Sequence, residues 1–144
     1  MKIGELNRLT GVPVETIRYY EQRKLLPQPE RRANNYRYYT EAHADRLGFI
    51  RHCRSLDMTL EEIAVLLRVL DTPQASCDTV NQVLDDHIGH VVRRLDELRQ
   101  LEVQLRELRR RCTHPDEAQH CGILAELARM PMRREPSSTQ GRGL

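Results

Sequence analysis

A chain of 144 residues with 31% charged side chains, one Phe, five Tyr and no Trp can form one modest core and an appendage, but hardly two full domains. It offers no glycine-rich phosphate loop, no Ser/His/Asp set on a plausible scaffold and too little chain for a substrate cleft, so it does not read as an enzyme. The formal net charge of +2 is uneven: residues 1–54 hold eleven Lys/Arg against six Asp/Glu, leaving twelve against fifteen in the remainder, which makes the basic end the candidate nucleic-acid face.

Met1-Lys2-Ile3-Gly4-Glu5 runs directly into a polar amphipathic pattern, and no apolar run approaches the roughly 20 residues of a membrane span. A cytoplasmic protein with no membrane segment is expected. In that reducing compartment Cys53, Cys77, Cys112 and Cys121 read as thiols or metal ligands rather than a disulfide framework.

In chain order, Ile3, Leu6 and Leu9 predict a short helix over residues 3–10 that stops at Gly11, and Pro13 suits the first turn of a second helix over residues 14–24. Two short helices joined by a tight glycine turn are the signature of a helix-turn-helix, whose second helix enters the major groove. Leu25-Leu26-Pro27 ends the second helix. After the polar turn from Gln28 to Asn35, Tyr36-Arg37-Tyr38-Tyr39 has strong strand propensity, predicting a two-stranded β wing. Thr40 can cap a helix through about Ser55, and Thr59 with Glu62 forms a capping box for another from Leu60 to Leu70.

From Asp78 to Arg111 there is no Pro and one Gly, while Leu84, Val91, Leu98, Leu105 and Cys112 recur every seven residues, with Ile88 and Leu95 in the alternate row. That pattern predicts a long coiled-coil dimerisation helix. A loop over residues 113–121, a short helix from Gly122 to Met130 and a disordered Pro/Ser/Gly-rich end follow. The expected class is mostly all-α: a winged helix-turn-helix head (1–74), a coiled-coil helix (75–112), a metal-binding loop with a short helix (113–130) and a tail (131–144).

Arg18, Tyr19 and Tyr20 fall on the second helix and Arg31, Arg32, Asn35, Tyr36 and Arg37 on the wing. Basic residues interleaved with hydroxyl-bearing aromatics suit a phosphate backbone. Tyr20 and Tyr39 read as packed side chains, whereas Arg18 and Arg37 read as DNA contacts.

Ile3-Gly4-Glu5-Leu6, Thr16-Ile17-Arg18-Tyr19-Tyr20-Glu21, Leu25-Leu26-Pro27 and Asn35-Tyr36-Arg37 together resemble the winged-helix head of the MerR family of regulators, a likeness that runs to about residue 128. Phe49 to Arg54, Leu56 to Leu60 and Cys121-Gly122-Ile123-Leu124 are similar to its cadmium/lead-responsive branch. With Thr16 at the start of the helix motif, the resemblance implies a DNA-binding set of Thr16, Arg18, Tyr19, Arg31, Asn35, Tyr36 and Arg37. It further implies a homodimer on a palindromic promoter whose elements are spaced too far apart for RNA polymerase, and which the metal-bound dimer twists or bends into register. Deforming a short site costs only a few kcal/mol, within reach of a change at the dimer axis.

Cys77 and Cys112 stand 35 residues apart at the two ends of the long helix, roughly 50 Å at the helical rise, so one chain cannot place both on one ion. With antiparallel pairing, which rests on this placement and on the resemblance, Cys77 of one subunit meets Cys112 of the other. Cys121 can fold back across Pro115 to join them, giving two symmetric three-thiolate sites. Thiolates select soft cations. Lead(II) suits three of them and cadmium(II) adds a fourth donor, His114, His120 or water; zinc(II), with the same need, and mercury(II), which accepts three sulfurs, are the alternatives. The stretch from Arg133 to Leu144 has no His, unlike the histidine-rich tails of many cadmium-type relatives. Cys53 beside His52 reads as a packed side chain, His87 and His90 as solvated or hydrogen-bonded between helices, and His43 as inert. A thiol redox sensor using a Cys112–Cys121 disulfide, and an architectural DNA protein stabilised by zinc, are the competing readings.

Overall fold

The computed structural model describes residues 1–112 and 117–131. His114, Pro115 and the expected tail from residue 132 lie outside the described residues. The chain divides into two units, the first from Met1 to Val83 and the second starting at Leu84.

In the first unit, α1 (Ile3–Thr10) and α2 (Val14–Gln22) meet through a turn centred on Gly11. Gly11 takes φ 74° and its N–H closes on the Asn7 carbonyl, a left-handed cap that glycine adopts without steric cost. Space is equally tight there: an added Cβ would meet the Arg51 guanidinium at 2.7 Å, and that guanidinium donates to the Thr10 carbonyl at 2.6 Å. Helix α2 ends at Gln22, two residues short of the expected boundary. Lys24 adopts φ 61°, and the Leu25 N–H reaches back to the Tyr20 carbonyl at 2.9 Å, which closes the helix before Leu25 and Leu26 enter the core.

The wing is a two-stranded antiparallel ribbon, β1 (Glu30–Arg31) against β2 (Arg37–Tyr38), with Glu30 opposite Tyr38 and Arg31 opposite Arg37. The strand expected over residues 36–39 is thus shorter at both ends. Tyr36 follows Asn35, whose φ is 64°, in the turn, and the Tyr39 N–H leaves the ribbon to bond the Met1 carbonyl at 2.7 Å.

Helices α3 (Glu41–Ser55) and α4 (Leu60–Leu70) complete the head. The Thr59–Glu62 capping box forms as expected, at 2.8 and 3.1 Å. Leu6, Ile17, Leu47, Ile50 and Ile63 are fully buried, and Tyr39, Met58 and Leu67 nearly so, so every helix of the head contributes to one core. Arg46 ties three segments together: its Nε donates to the Leu25 carbonyl at 2.9 Å and its two terminal nitrogens to Asp71 at 2.6 and 2.8 Å. That bidentate pair holds the Asp71 carboxyl below its ordinary range.

His43 is a correction to the sequence reading. It is buried, its Nδ1 accepts the Thr40 N–H at 3.1 Å, and its Nε2 lies 3.0 Å from the Pro27 carbonyl. A ring that accepts at Nδ1 must carry its proton on Nε2 when neutral, so His43 fastens the exit of α2 to the cap of α3 instead of being inert.

Helix α5 (Asp78–Arg109) starts in the first unit and runs through the second, where α6 (Gly122–Arg129) follows a short 3-10 turn (Ala118–His120). Leu84, Ile88, Val91, Leu95, Leu98 and Leu105 on α5 are each 38–59% exposed. Among the described residues no helix is long and apolar enough to cross a membrane.

Replacing His43 with Ala strands the Thr40 N–H and the Pro27 carbonyl. We expect urea denaturation of His43→Ala to show stability lower by about 2 kcal/mol; an unchanged midpoint would mean that water satisfies both groups.

Candidate nucleic-acid face and thiol pair

The head presents an open groove of about 540 Å³ lined by Lys2, Glu5, Arg8, Arg18, Arg31, Asn35, Tyr36 and Arg37, among others. Five of the seven expected DNA contacts, Arg18, Arg31, Asn35, Tyr36 and Arg37, therefore share one surface formed by α1, α2 and the wing. Thr16 is half-buried and Tyr19 exposed on α2, and neither lines the groove. Tyr19 instead receives a bond from Arg23 at 3.4 Å, with that guanidinium 5.8 Å from its ring centroid. Tyr20 packs against the core and Tyr39 lies within it, as expected.

Five cations against the single carboxylate of Glu5 give the groove a positive field suited to phosphates. The wing is preset by its own contacts: Arg31 donates to the Asn35 side chain at 3.3 Å, and the Arg32 guanidinium stacks 3.9 Å from the Tyr38 ring centroid. Lys2, 5.0 Å over the Tyr36 ring, and Arg8 were counted only in the basic balance of the sequence; their place on this face depends on how α1 packs.

The second unit brings Cys112 and Cys121 together. Cys121 is the N-cap residue of α6. The Leu124 N–H, foremost, and the Ile123 N–H and Cys112 thiol hold the Cys121 thiol below its ordinary range, against a smaller opposing effect of burial. Stabilising a thiolate by unpaired amides at a helix start is a recurrent device. Gly122 makes the approach possible: a Cβ there would lie 2.5 Å from the Arg111 carbonyl oxygen and 3.2 Å from the Arg111 Cβ. The start of α6 thus rests directly on the chain leaving α5.

Cys77 is exposed in the first unit, just ahead of α5, and α5 separates it along the chain from Cys112. Cys53 is buried, which pushes its thiol up, and it packs in the core as expected. His120 is exposed in the 3-10 turn next to Cys121. His87 departs from the solvated reading: it is buried, with its ring edge-on to His90 at 6.5 Å.

Residues 1–70 match the family described as MerR HTH family regulatory protein, and residues 44–108 that described as MerR, DNA binding. A ZntR homolog of Haemophilus influenzae, an HTH-type transcriptional regulator, is 44% identical over 129 residues, covering 85% of this chain and 96% of the relative. The structure of the transcription regulator PbrR691 from Ralstonia metallidurans CH34 in complex with lead(II) superposes with a TM-score of 0.81 at 46% identity, covering 88% of this chain and 98% of that one. The dual-function regulator MerR of Bacillus megaterium MB1 in complex with mercury(II) gives a TM-score of 0.71 at 34% identity, covering 90% and 100%.

Arg18→Ala is expected to weaken binding to duplex DNA about tenfold without any metal and to reduce the salt slope of binding by about one. Unaltered affinity in a fluorescence anisotropy titration would remove Arg18 from the interface.

Proposed function

Because the chain belongs to the MerR family of helix-turn-helix regulators, we propose that its effector is lead(II) or cadmium(II), held by Cys112 and Cys121 of one subunit and Cys77 of the other. The chain is a metal-responsive, DNA-binding transcriptional regulator and not an enzyme, and in this reading it acts as a homodimer.

The observation that carries the effector reading is the pair of sulfurs, Cys121 at the start of α6 with Cys112 beside it, the Cys121 thiol lying below its ordinary range. Soft donors at such a site reject magnesium and calcium. Two supports come from elsewhere. The exposed stripe on α5 needs a second copy to cover it, and antiparallel pairing of two such helices delivers an exposed Cys77 to the partner's thiol pair. The lead(II)-bound neighbour at 46% identity weighs towards lead, while the ZntR homolog and the mercury(II)-bound neighbour keep zinc and mercury as alternatives. His120 is the described candidate for the fourth donor that cadmium or zinc would take.

In this reading Arg18, Arg31, Asn35, Tyr36 and Arg37 line the DNA contact, with Thr16 and Tyr19 beside Arg18 on α2. The dimer occupies a promoter in the cytoplasm, and distortion of the DNA in the effector-bound state lets RNA polymerase engage genes for metal resistance.

Titration of the purified dimer with lead, cadmium, zinc and mercury salts, read by thiolate charge-transfer absorption, is expected to show two ions per dimer. Lead or cadmium should also be the strongest inducers in a reporter strain; stronger induction by zinc or mercury would overturn the choice of ion, and induction by peroxide alone would favour the disulfide reading. Cys77→Ser, Cys112→Ser and Cys121→Ser should each abolish metal-induced transcription and leave DNA binding largely intact, and retained induction in all three would refute the ligand set. Gly122→Ala forces α6 away from Arg111, so metal affinity should fall at least about tenfold, roughly the 1.4 kcal/mol of a modest backbone clash; unchanged affinity in the same titration would show that the close approach is dispensable.

A further inference from the structure

Glu21, next to last in α2, is 6% exposed. Its Oε2 lies 3.6 Å from Nη1 of Arg37 on β2, and its Oε1 has no hydrogen bond among the described residues; nor has the hydroxyl of buried Tyr39. An ionised carboxylate taken out of water with a loose ion pair and a phenol nearby as its only company is costly. A negative charge in the last turn of a helix is also on the unfavourable side of the helix dipole. A 3.6 Å ion pair with Arg37 is a weak stabilising return for burying a carboxylate at this position.

What the carboxylate does face is the wing. Arg37 is partly exposed and lines the basic groove with Arg18 and Arg31. Burial first, and Glu21 next, push the Tyr39 phenol above its ordinary range, while Arg37 and Arg18 pull it back. Glu21, Tyr39, Arg37 and Arg18 thus form one electrostatic unit joining the second helix of the helix-turn-helix to the wing.

We propose that Glu21 is a positioning residue for DNA binding: from inside the head it tethers the Arg37 guanidinium, so that Arg37 and Arg18 meet the phosphate backbone as a preset pair. This rests on the DNA-contact role proposed above for Arg37. An untethered arginine loses several rotamers when it docks on a phosphate, and a tethered one has already lost them. Lys2 and Arg8 on the same groove are not held in this way by Glu21, so the effect is confined to the wing.

The test uses the full-length homodimer without metal and a labelled mixed-sequence duplex of roughly 30 base pairs at about 50 mM salt, where phosphate contacts dominate. Glu21→Gln keeps the shape and removes one negative charge, which by long-range electrostatics alone would tighten binding. The tether predicts the opposite, a loss of about two- to tenfold, with the Glu21→Gln/Arg37→Ala double variant no weaker than Arg37→Ala alone. Urea denaturation of Glu21→Gln should give an unchanged or higher midpoint, since a buried charge has gone. Binding equal to or tighter than the unsubstituted dimer overturns the proposal, as does a loss that adds in full to that of Arg37→Ala. A lowered urea midpoint accompanying the loss would assign Glu21 a structural role instead. Failure of the unsubstituted dimer to bind the duplex would overturn the DNA-contact reading itself, and the tether with it.

Discussion

A 32-residue helix that leaves a row of leucine, isoleucine and valine half in water cannot be the end of the folding problem. Each of those side chains regains on the order of 1 kcal/mol when covered, and long isolated helices owe their stability in proteins mostly to such packing. The ion pairs along α5, such as Glu102 with Arg106 at 2.9 Å and Glu107 with Arg110 at 2.7 Å, are exposed and contribute little. In the proposed homodimer, association through this apolar stripe is the interaction on which the rest depends: it makes two heads into one DNA-binding body and completes each thiolate site.

The head needs rigidity of a different kind. Its hydrophobic core is small, and polar clamps at the joints supplement it: Arg51 on the Thr10 carbonyl, Arg46 between the Leu25 carbonyl and Asp71, and His43 between Thr40 and Pro27. Each clamp fixes where one helix leaves and the next begins. Side chains on the solvent side of those helices then inherit fixed positions, which is how residues from α1, α2 and the ribbon come to share one positive groove.

Local signals in the sequence carried most of the architecture. Gly11 and Pro13 mark the turn, Thr59 with Glu62 marks a helix start, and the seven-residue recurrence from Leu84 to Leu105 marks the long helix, because each of these effects acts within a few residues. Tertiary effects were not legible. His43 looks like any polar residue near a helix start until Pro27 is seen beside it, and Lys2 and Arg8 cannot be assigned to a face before α1 is packed. Glu21 is hidden for the same reason, since its partner lies 16 residues away on the wing. The cysteines occupy a middle ground: their types and spacing suggested ligands, but the nearness of Cys121 to Cys112 depends on a backbone approach that spacing alone does not encode.

That approach separates geometry from chemistry in the second unit. Gly122 seats the start of α6 against Arg111, so main-chain packing, and not a side-chain ligand, sets where the Cys121 end of the pair stands. In the proposed site, such packing keeps the sulfur pair in place before any ion arrives, so binding need not first fold the ligands together.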